Sequence, residues 1–91
     1  MFAVVVRESG DPERIEASAG MVQSQVAPQV RQAPGFVSAL WMSDGKGGTL
    51  NVITFESEAF ASAALEAARS APRQPFMHVE GVDVFRVLGS A

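Results

Sequence analysis

The stretch FVSALWM-SDGKGG-TLNVITF, residues 36–55, decides the fold of this chain. Its two outer runs are rich in β-branched and aromatic residues, which favour strands. Its middle segment holds three glycines and Asp44. These residues suit a tight turn, because glycine adopts positive φ angles and an aspartate side chain bonds to the backbone just beyond it. The stretch therefore predicts a β-hairpin.

Both faces of the predicted hairpin are apolar. With the turn centred between Gly45 and Lys46, Trp41 lies opposite Leu50, and successive side chains alternate between the two faces. One face then carries Phe36, Ser38, Leu40, Met42, Asn51, Ile53 and Phe55, and the other carries Val37, Ala39, Trp41, Leu50, Val52 and Thr54. An antiparallel sheet with one wet face would show a polar row. We therefore expect helices to cover one face and a second copy of the chain to cover the other.

The segment before the hairpin predicts a strand and a helix. An apolar run at residues 2–7 is typical of a strand covered on both faces. Asp11 and Pro12 then suit the start of a helix, which Pro28 should kink or restart near Ala27 because proline lacks a backbone N–H. The residues expected to face the sheet from this helix recur every three or four positions and are Ile15, Ala19, Val22, Val26 and Val30.

The segment after the hairpin predicts a second helix and a last strand. Ser57 suits the cap of an alanine-rich helix that runs to about Arg69, with a predicted buried face of Phe60, Ala63, Ala64, Ala67 and Ala68. Residues 70–80 are expected to form a loop and residues 82–88 a strand. This order predicts an α+β, ferredoxin-like βαββαβ fold, with a four-stranded antiparallel sheet and two helices on one face. Residues 1–91 are expected to form a single domain.

The amino-acid composition limits which classes of partner the chain is expected to bind. It is 47% hydrophobic and only 19% charged, so a homodimer through the sheet face is the simplest way to bury the excess apolar surface. The formal charge of −3 and the scattered basic residues argue against a nucleic-acid partner. No run is long and apolar enough for a membrane partner, and no basic leader precedes the first strand. The absence of cysteine fits a cytoplasmic location.

The chain enters its second strand, second helix and last strand through the motifs APGFV at residues 33–37, FESE at 55–58 and VDVFRV at 82–87. These motifs resemble those of the dimeric α/β-barrel superfamily, and more narrowly its antibiotic-biosynthesis-monooxygenase-like branch. The resemblance implies that two sheets face each other to form a dimeric α/β barrel, with small molecules bound between each sheet and its helices. It also implies relatives that include cofactor-independent oxygenases of aromatic quinols and haem-degrading oxygenases.

The haem-degrading members use a histidine and a tryptophan on the second helix with an asparagine on the first strand. This chain has none of these residues at those places. The resemblance therefore implies no haem degradation, and we expect no cofactor. A metal ion is not expected either, because one histidine and dispersed carboxylates offer no close ligand spacing.

Four side chains are candidates for contacts to a ligand: Trp41, Asn51, His78 and Arg86. Histidine is the residue type whose ordinary pKa is nearest neutrality, so His78 suits a catalytic base that removes a phenolic proton, or it is an ordinary loop histidine. Trp41 stacks on an aromatic ligand or packs in the core or dimer interface. Asn51 anchors a ligand, bonds across the dimer or lies near a wet hairpin end. Arg86 binds an anionic group of the substrate or pairs with an acidic neighbour.

Two functions of different classes fit these residues. The first is a small-molecule-binding protein that resembles cofactor-independent monooxygenases acting on small aromatic or hydrophobic substrates. It predicts a cavity of at least about 300 Å³ between sheet and helices, the lower end for ligand sites. The alternative is a non-catalytic ligand-binding or dimeric interaction module.

Overall fold

The computed structural model describes residues 1–91, whose four strands form one antiparallel sheet in the order β2-β3-β1-β4. The strands are β1 (Phe2–Gly10), β2 (Phe36–Ser43), β3 (Gly48–Phe55) and β4 (Met77–Arg86). The helical segments are α1 (Pro12–Ala17), α2 (Ala19–Met21), a π-helical turn (Val22–Val26), α3 (Ala27–Arg31) and α4 (Glu58–Ser70). The first four segments form one interrupted helix between β1 and β2. The predicted ferredoxin-like βαββαβ arrangement is confirmed.

The interrupted helix starts where its sequence predicts and restarts at Ala27 as predicted, but it also breaks at Ser18, which was not predicted. The side chain of Asp11 accepts a hydrogen bond of 3.0 Å from the backbone N–H of Glu13, and Pro12 is the first residue of α1. The break places Pro28 in the first turn of α3, which begins at Ala27. A proline costs no hydrogen bond there, because the first N–H groups of a helix lack an intrahelical partner.

The helix α4 turns a slightly different face to the sheet from the predicted one. Ser57 caps it as expected, by accepting a hydrogen bond of 3.4 Å from the backbone N–H of Phe60. The side chains that join the core are Ala61, Ala64, Leu65 and Ala68. Phe60 is instead 40% exposed. Its ring lies against Gly35, where a Cβ would come within 2.2 Å of a ring carbon, so the ring packs on the loop before β2.

The core lies between α4 and the central strands of the sheet. Its five buried residues are Val4, Val6, Phe55, Ala61 and Val82. Val4 and Val6 are two positions apart on β1, so they share the face that looks toward the helices. We call this side of the sheet the helix face and the other side the open face.

The pairing of β2 with β3 differs from the predicted register. Phe36 lies opposite Phe55 as expected, but Val37 is an extra residue, so Ser38 lies opposite Thr54 and Trp41 lies opposite Asn51. Such a β-bulge shifts every following side chain of β2 relative to β3. The predicted division of the hairpin into two faces is therefore wrong for β2. Trp41 and Asn51 share one face instead of lying on opposite ones.

The hairpin turn has the chemistry that its sequence predicts. Asp44 Oδ1 accepts hydrogen bonds from the backbone N–H groups of Lys46 at 2.7 Å and Gly48 at 3.0 Å. These two bonds, in that order, hold the pKa of Asp44 below its ordinary value. Gly45 and Gly47 have φ angles of 75° and 98°, which residues with a Cβ rarely adopt.

The open face carries a row of exposed apolar side chains. Leu40 is 62% exposed and Phe85 is 57% exposed, and Met42 and Leu50 extend the same surface across the hairpin. Arg7 and Asp83 add one exposed ion pair, with 3.8 Å between guanidinium nitrogen and carboxylate oxygen. A face of this composition is unusual for a surface that water covers. None of the helices has the length and hydropathy needed to cross a bilayer.

Candidate functional site

A half-buried polar cluster lies on the helix face and consists of Glu8, Asn51 and Arg73. The Nδ2 group of Asn51 donates a hydrogen bond of 3.0 Å to Glu8 Oε1. The Nε group of Arg73 donates one of 3.0 Å to Glu8 Oε2. Each carboxylate oxygen of Glu8 thus has one donor from a different part of the chain. Asn51 is a site residue predicted from the sequence, whereas Glu8 and Arg73 are not.

Strand alternation places Glu8 in this position. Val4, Val6 and Glu8 follow one another at every second residue of β1, so Glu8 continues the apolar row of the helix face. On the neighbouring strand, Asn51 lies opposite Val6, one step along from Glu8. The side chain of Glu8 is only 10% exposed. A carboxylate buried to this degree needs hydrogen-bond donors, and the two neighbours supply them.

Arg73 reaches Glu8 from the loop that follows α4. Its Nη2 group donates a hydrogen bond of 2.6 Å to the carbonyl of Ala68, and its Nη1 group donates one of 2.7 Å to the carbonyl of Ala71. The last carbonyls of a helix lack intrahelical partners and carry partial negative charge, so a guanidinium satisfies them well. The Arg73 side chain is 22% exposed. It therefore joins β1, the end of α4 and the following loop.

Trp41 completes the site from the edge strand β2. It is the direct cross-strand partner of Asn51 and is half-buried. Two residues further on, Ser43 donates a hydrogen bond from Oγ to the carboxylate of Glu16 in α1, which confirms that this side of β2 faces the interrupted helix. Trp41 therefore shares the helix face with the polar cluster and lies next to its Asn51 member. An apolar wall with a few polar groups is typical of ligand sites.

No protein-family model and no curated protein sequence matches this chain, but solved structures do. The monooxygenase ActVA-Orf6 of Streptomyces coelicolor, in complex with nanaomycin D, is 21% identical with a TM-score of 0.63, over 99% of this chain and 89% of its own. HapK from Hahella chejuensis is 15% identical with a TM-score of 0.66, over 100% and 96%. The haem degrader MhuD of Mycobacterium tuberculosis, with two haems bound in its active site, is 14% identical with a TM-score of 0.56, over 100% and 99%.

The chain shares its fold with these solved structures. The resemblance noted in the sequence is thereby confirmed at the level of fold. At these identities the likeness concerns shape alone, so the function has to be argued from the residues of this chain.

Within this fold, the four predicted site residues fall at three different places. Trp41 and Asn51 are brought together on the helix face. His78 is in β4, which begins at Met77, and not in a loop as predicted; it is exposed and lies opposite Ser9 on the open face. Arg86 is exposed and lies opposite Phe2, at the other end of β1 from Glu8, and six residues of strand separate those ends by about 20 Å.

The structure assigns Asn51 a contact that none of its predicted interpretations included, since its amide bonds to a carboxylate of its own chain. A sequence signal for Glu8 was present in the alternation of β1. Arg73 had none, because its contact depends on how the loop folds back over the sheet.

Among the open grooves on the surface of the chain, two are considered as candidate sites. One, of about 330 Å³, lies between the start of the interrupted helix and the loop before β4 and is lined by Arg14, Ala17, Ser18, Met21, Gln74 and Phe76. The other, of about 290 Å³, lies on the open face near the hairpin turn and is lined by Arg7, Asp44, Gly48, Thr49, Leu50 and Glu80. Neither is the cavity between sheet and helices that the monooxygenase hypothesis predicts. In that region, the polar cluster links the sheet to the end of α4.

Proposed function

We propose that this chain forms a homodimer that binds a small hydrophobic or aromatic molecule on the helix face, as in cofactor-independent monooxygenases. The observation that carries the proposal is the position of Trp41 beside the polar cluster of Glu8, Asn51 and Arg73. Trp41 is half-buried, so part of its ring remains open to a second aromatic system. The cluster supplies polar groups that orient such a ligand.

The open face is the proposed dimer interface. Leu40 and Phe85 are the most exposed side chains of its apolar row, and the resemblance implies a barrel closed by two such sheets. Leu40→Glu should produce a monomer in native mass spectrometry, because it places two carboxylates in an apolar interface. Leu88→Glu is the matched control, since Leu88 follows β4 and is 87% exposed. A Leu40→Glu protein that stays dimeric would contradict this interface.

Ligand binding is tested on the purified dimer. Native mass spectrometry should reveal a retained small molecule, or a mass shift after incubation with a panel of aromatic compounds. Trp41→Ala should weaken this binding at least tenfold, because the aromatic stacking and the apolar area that the ligand buries against the ring are both lost. Trp41→Phe should retain most of it. Equal binding by all three proteins would place the ligand elsewhere and refute the site.

A monooxygenase reaction would begin with removal of a phenolic proton, after which the electron-rich substrate anion reacts with oxygen without a cofactor. Two groups are proposed as proton acceptor. Glu8 lies at the site on the helix face. His78, the base predicted from the sequence, lies on the open face and would act only on a ligand bound there. Oxygen uptake in the presence of the retained ligand tests for this reaction directly.

The second candidate function is non-catalytic ligand binding. One observation favours it: both carboxylate oxygens of Glu8 already accept hydrogen bonds, from Asn51 and Arg73. A group held in this way orients a ligand more readily than it accepts a proton. The candidate predicts that the ligand is recovered chemically unchanged after aerobic incubation, with no oxygen consumed.

A further inference from the structure

We infer that Glu8 makes this site selective for neutral ligands that donate a hydrogen bond, by fixing the orientation of the Asn51 amide. The inference rests on the proposed function, because it assumes that the ligand lies beside Trp41. It adds the polarity of the ligand group and the residue that sets it. The class it names is a neutral aromatic compound with a hydroxyl group.

The orientation of Asn51 follows from chemistry. A side-chain amide has an oxygen that only accepts and a nitrogen that only donates, and an ionised carboxylate only accepts. The amide atom that lies 3.0 Å from Glu8 Oε1 must therefore be the nitrogen. The amide oxygen points away from the nitrogen by about 120°, the angle at a trigonal carbon. Asn51 cannot turn its oxygen toward Glu8 without placing two acceptors together.

The oxygen of the Asn51 amide is the atom that Glu8 leaves free for a ligand. Asn51 lies between Val6 of β1 on one side and Trp41 of β2 on the other. Because its nitrogen bonds to Glu8 of β1, its oxygen points away from Glu8, and the strand on the other side of Asn51 is β2, where Trp41 is its cross-strand partner. No protein group donates to this oxygen. A ligand stacked on Trp41 therefore meets an acceptor, and a hydroxyl group of the ligand supplies the missing donor.

Arg73 keeps this arrangement in place and does not compete for the ligand. Its guanidinium lies 3.0 Å from Glu8 Oε2 and pairs with that carboxylate. Its other two terminal groups donate to the carbonyls of Ala68 and Ala71. An anionic ligand would find the positive charge already paired and would lie close to the Glu8 carboxylate. We therefore expect the site to reject carboxylates.

Three naphthalene probes of similar size test this selectivity by NMR shift titration of the dimer. They are 1-naphthol, which donates, 1-methoxynaphthalene, which only accepts, and 1-naphthoate, which is anionic. Wild-type protein should bind 1-naphthol about fivefold tighter than the methyl ether, the ratio that corresponds to the roughly 1 kcal/mol of one neutral hydrogen bond. The naphthoate should bind most weakly.

Glu8→Gln should reduce the naphthol preference to about one, because a glutamine both donates and accepts and lets the Asn51 amide turn over. Glu66→Gln is the matched control: Glu66 is an exposed glutamate on α4, and its loss should leave the preference unchanged. Equal binding of 1-naphthol and its methyl ether by wild-type protein would overturn the inference but leave the proposed function standing. Failure of all three probes to bind would overturn both.

One measurement needs no variant. The side-chain N–H₂ group of Asn51 should show one proton that exchanges slowly with solvent and is coupled through the hydrogen bond to the Glu8 carboxylate. Two rapidly exchanging protons would overturn the inference, even if Glu8→Gln does not fold.

Discussion

Loss of the Arg73 side chain should destabilise the protein by about 2–3 kcal/mol. Breaking a fully buried ion pair by removing one partner costs about 3–5 kcal/mol, because a buried charge is left without compensation. Here Glu8 is 10% exposed and Arg73 is 22% exposed, so water partly replaces the lost guanidinium and lowers the cost. Asn51 also continues to donate one hydrogen bond to Glu8. The two carbonyl bonds of Arg73 add less, since those carbonyls can bind water instead.

The assay is urea unfolding followed by the fluorescence of Trp41, the only tryptophan. We would compare Arg73→Met, Glu8→Met and the double variant, because methionine preserves much of each side-chain stem. The coupling energy from this cycle should be about 2 kcal/mol, with the double variant more stable than Arg73→Met. All proteins must be measured at one protein concentration, since dimer formation would contribute to stability.

Arg69→Met is the matched control. Arg69 pairs with Glu66 at 3.2 Å on the exposed side of α4, three positions along the helix. Such a pair is worth about 0.2–0.5 kcal/mol. A cost for Arg73→Met no larger than that of Arg69→Met, or a coupling energy near zero, would refute a closed Glu8–Arg73 pair in solution.

Three further predictions concern other parts of the chain. Gly35→Ala should lower the free energy of unfolding in urea by about 2–4 kcal/mol, because φ is 75° at this position and a Cβ would lie 2.2 Å from the Phe60 ring. Gly20→Ala should not lower it, because a Cβ at Gly20 meets no atom within 4 Å. The lowered pKa of Asp44 means that its contribution to stability is present above pH 3.8 and is lost as pH falls through the lowered folded value; an NMR titration showing an Asp44 pKa at or above 3.8 would contradict this. If His78 is the catalytic base, His78→Ala should abolish turnover of an identified substrate while leaving its affinity unchanged, and unchanged turnover would exclude that role.

Local signals were sufficient to predict the fold. Asp11 and Ser57 cap helices in the predicted manner, and each of these contacts spans only a few residues. The register of β2 could not be predicted from the sequence, because a bulge at Val37 depends on how the strand packs and not on a distinctive residue. One extra residue then moved Trp41 to the face that Asn51 occupies. The sequence therefore identified Trp41 and Asn51 as candidates but placed them wrongly on opposite faces of the hairpin.

Glu8 and Arg73 were not predicted as site residues, for two different reasons. Glu8 continues the Val4 and Val6 row, so alternation alone would have placed it on the helix face had β1 been extended to Gly10. Arg73 is 65 residues from Glu8 and is surrounded by prolines that indicate only a loop. No local pattern specifies which charged residue a loop brings back over the sheet.

Stability alone does not account for the Glu8–Arg73 pair. Apolar residues of similar volume often stabilise a protein as well as a buried ion pair does, because they avoid the cost of removing two charges from water. The same row of β1 uses valine at its two preceding positions, so an apolar residue would be compatible with this face. What the pair adds is a fixed direction for the Asn51 amide beside the Trp41 ring. A double variant with native stability and no preference for hydroxyl ligands would show that the pair orients Asn51 and is not needed for stability. A double variant that keeps the preference would show that the pair has a structural role only.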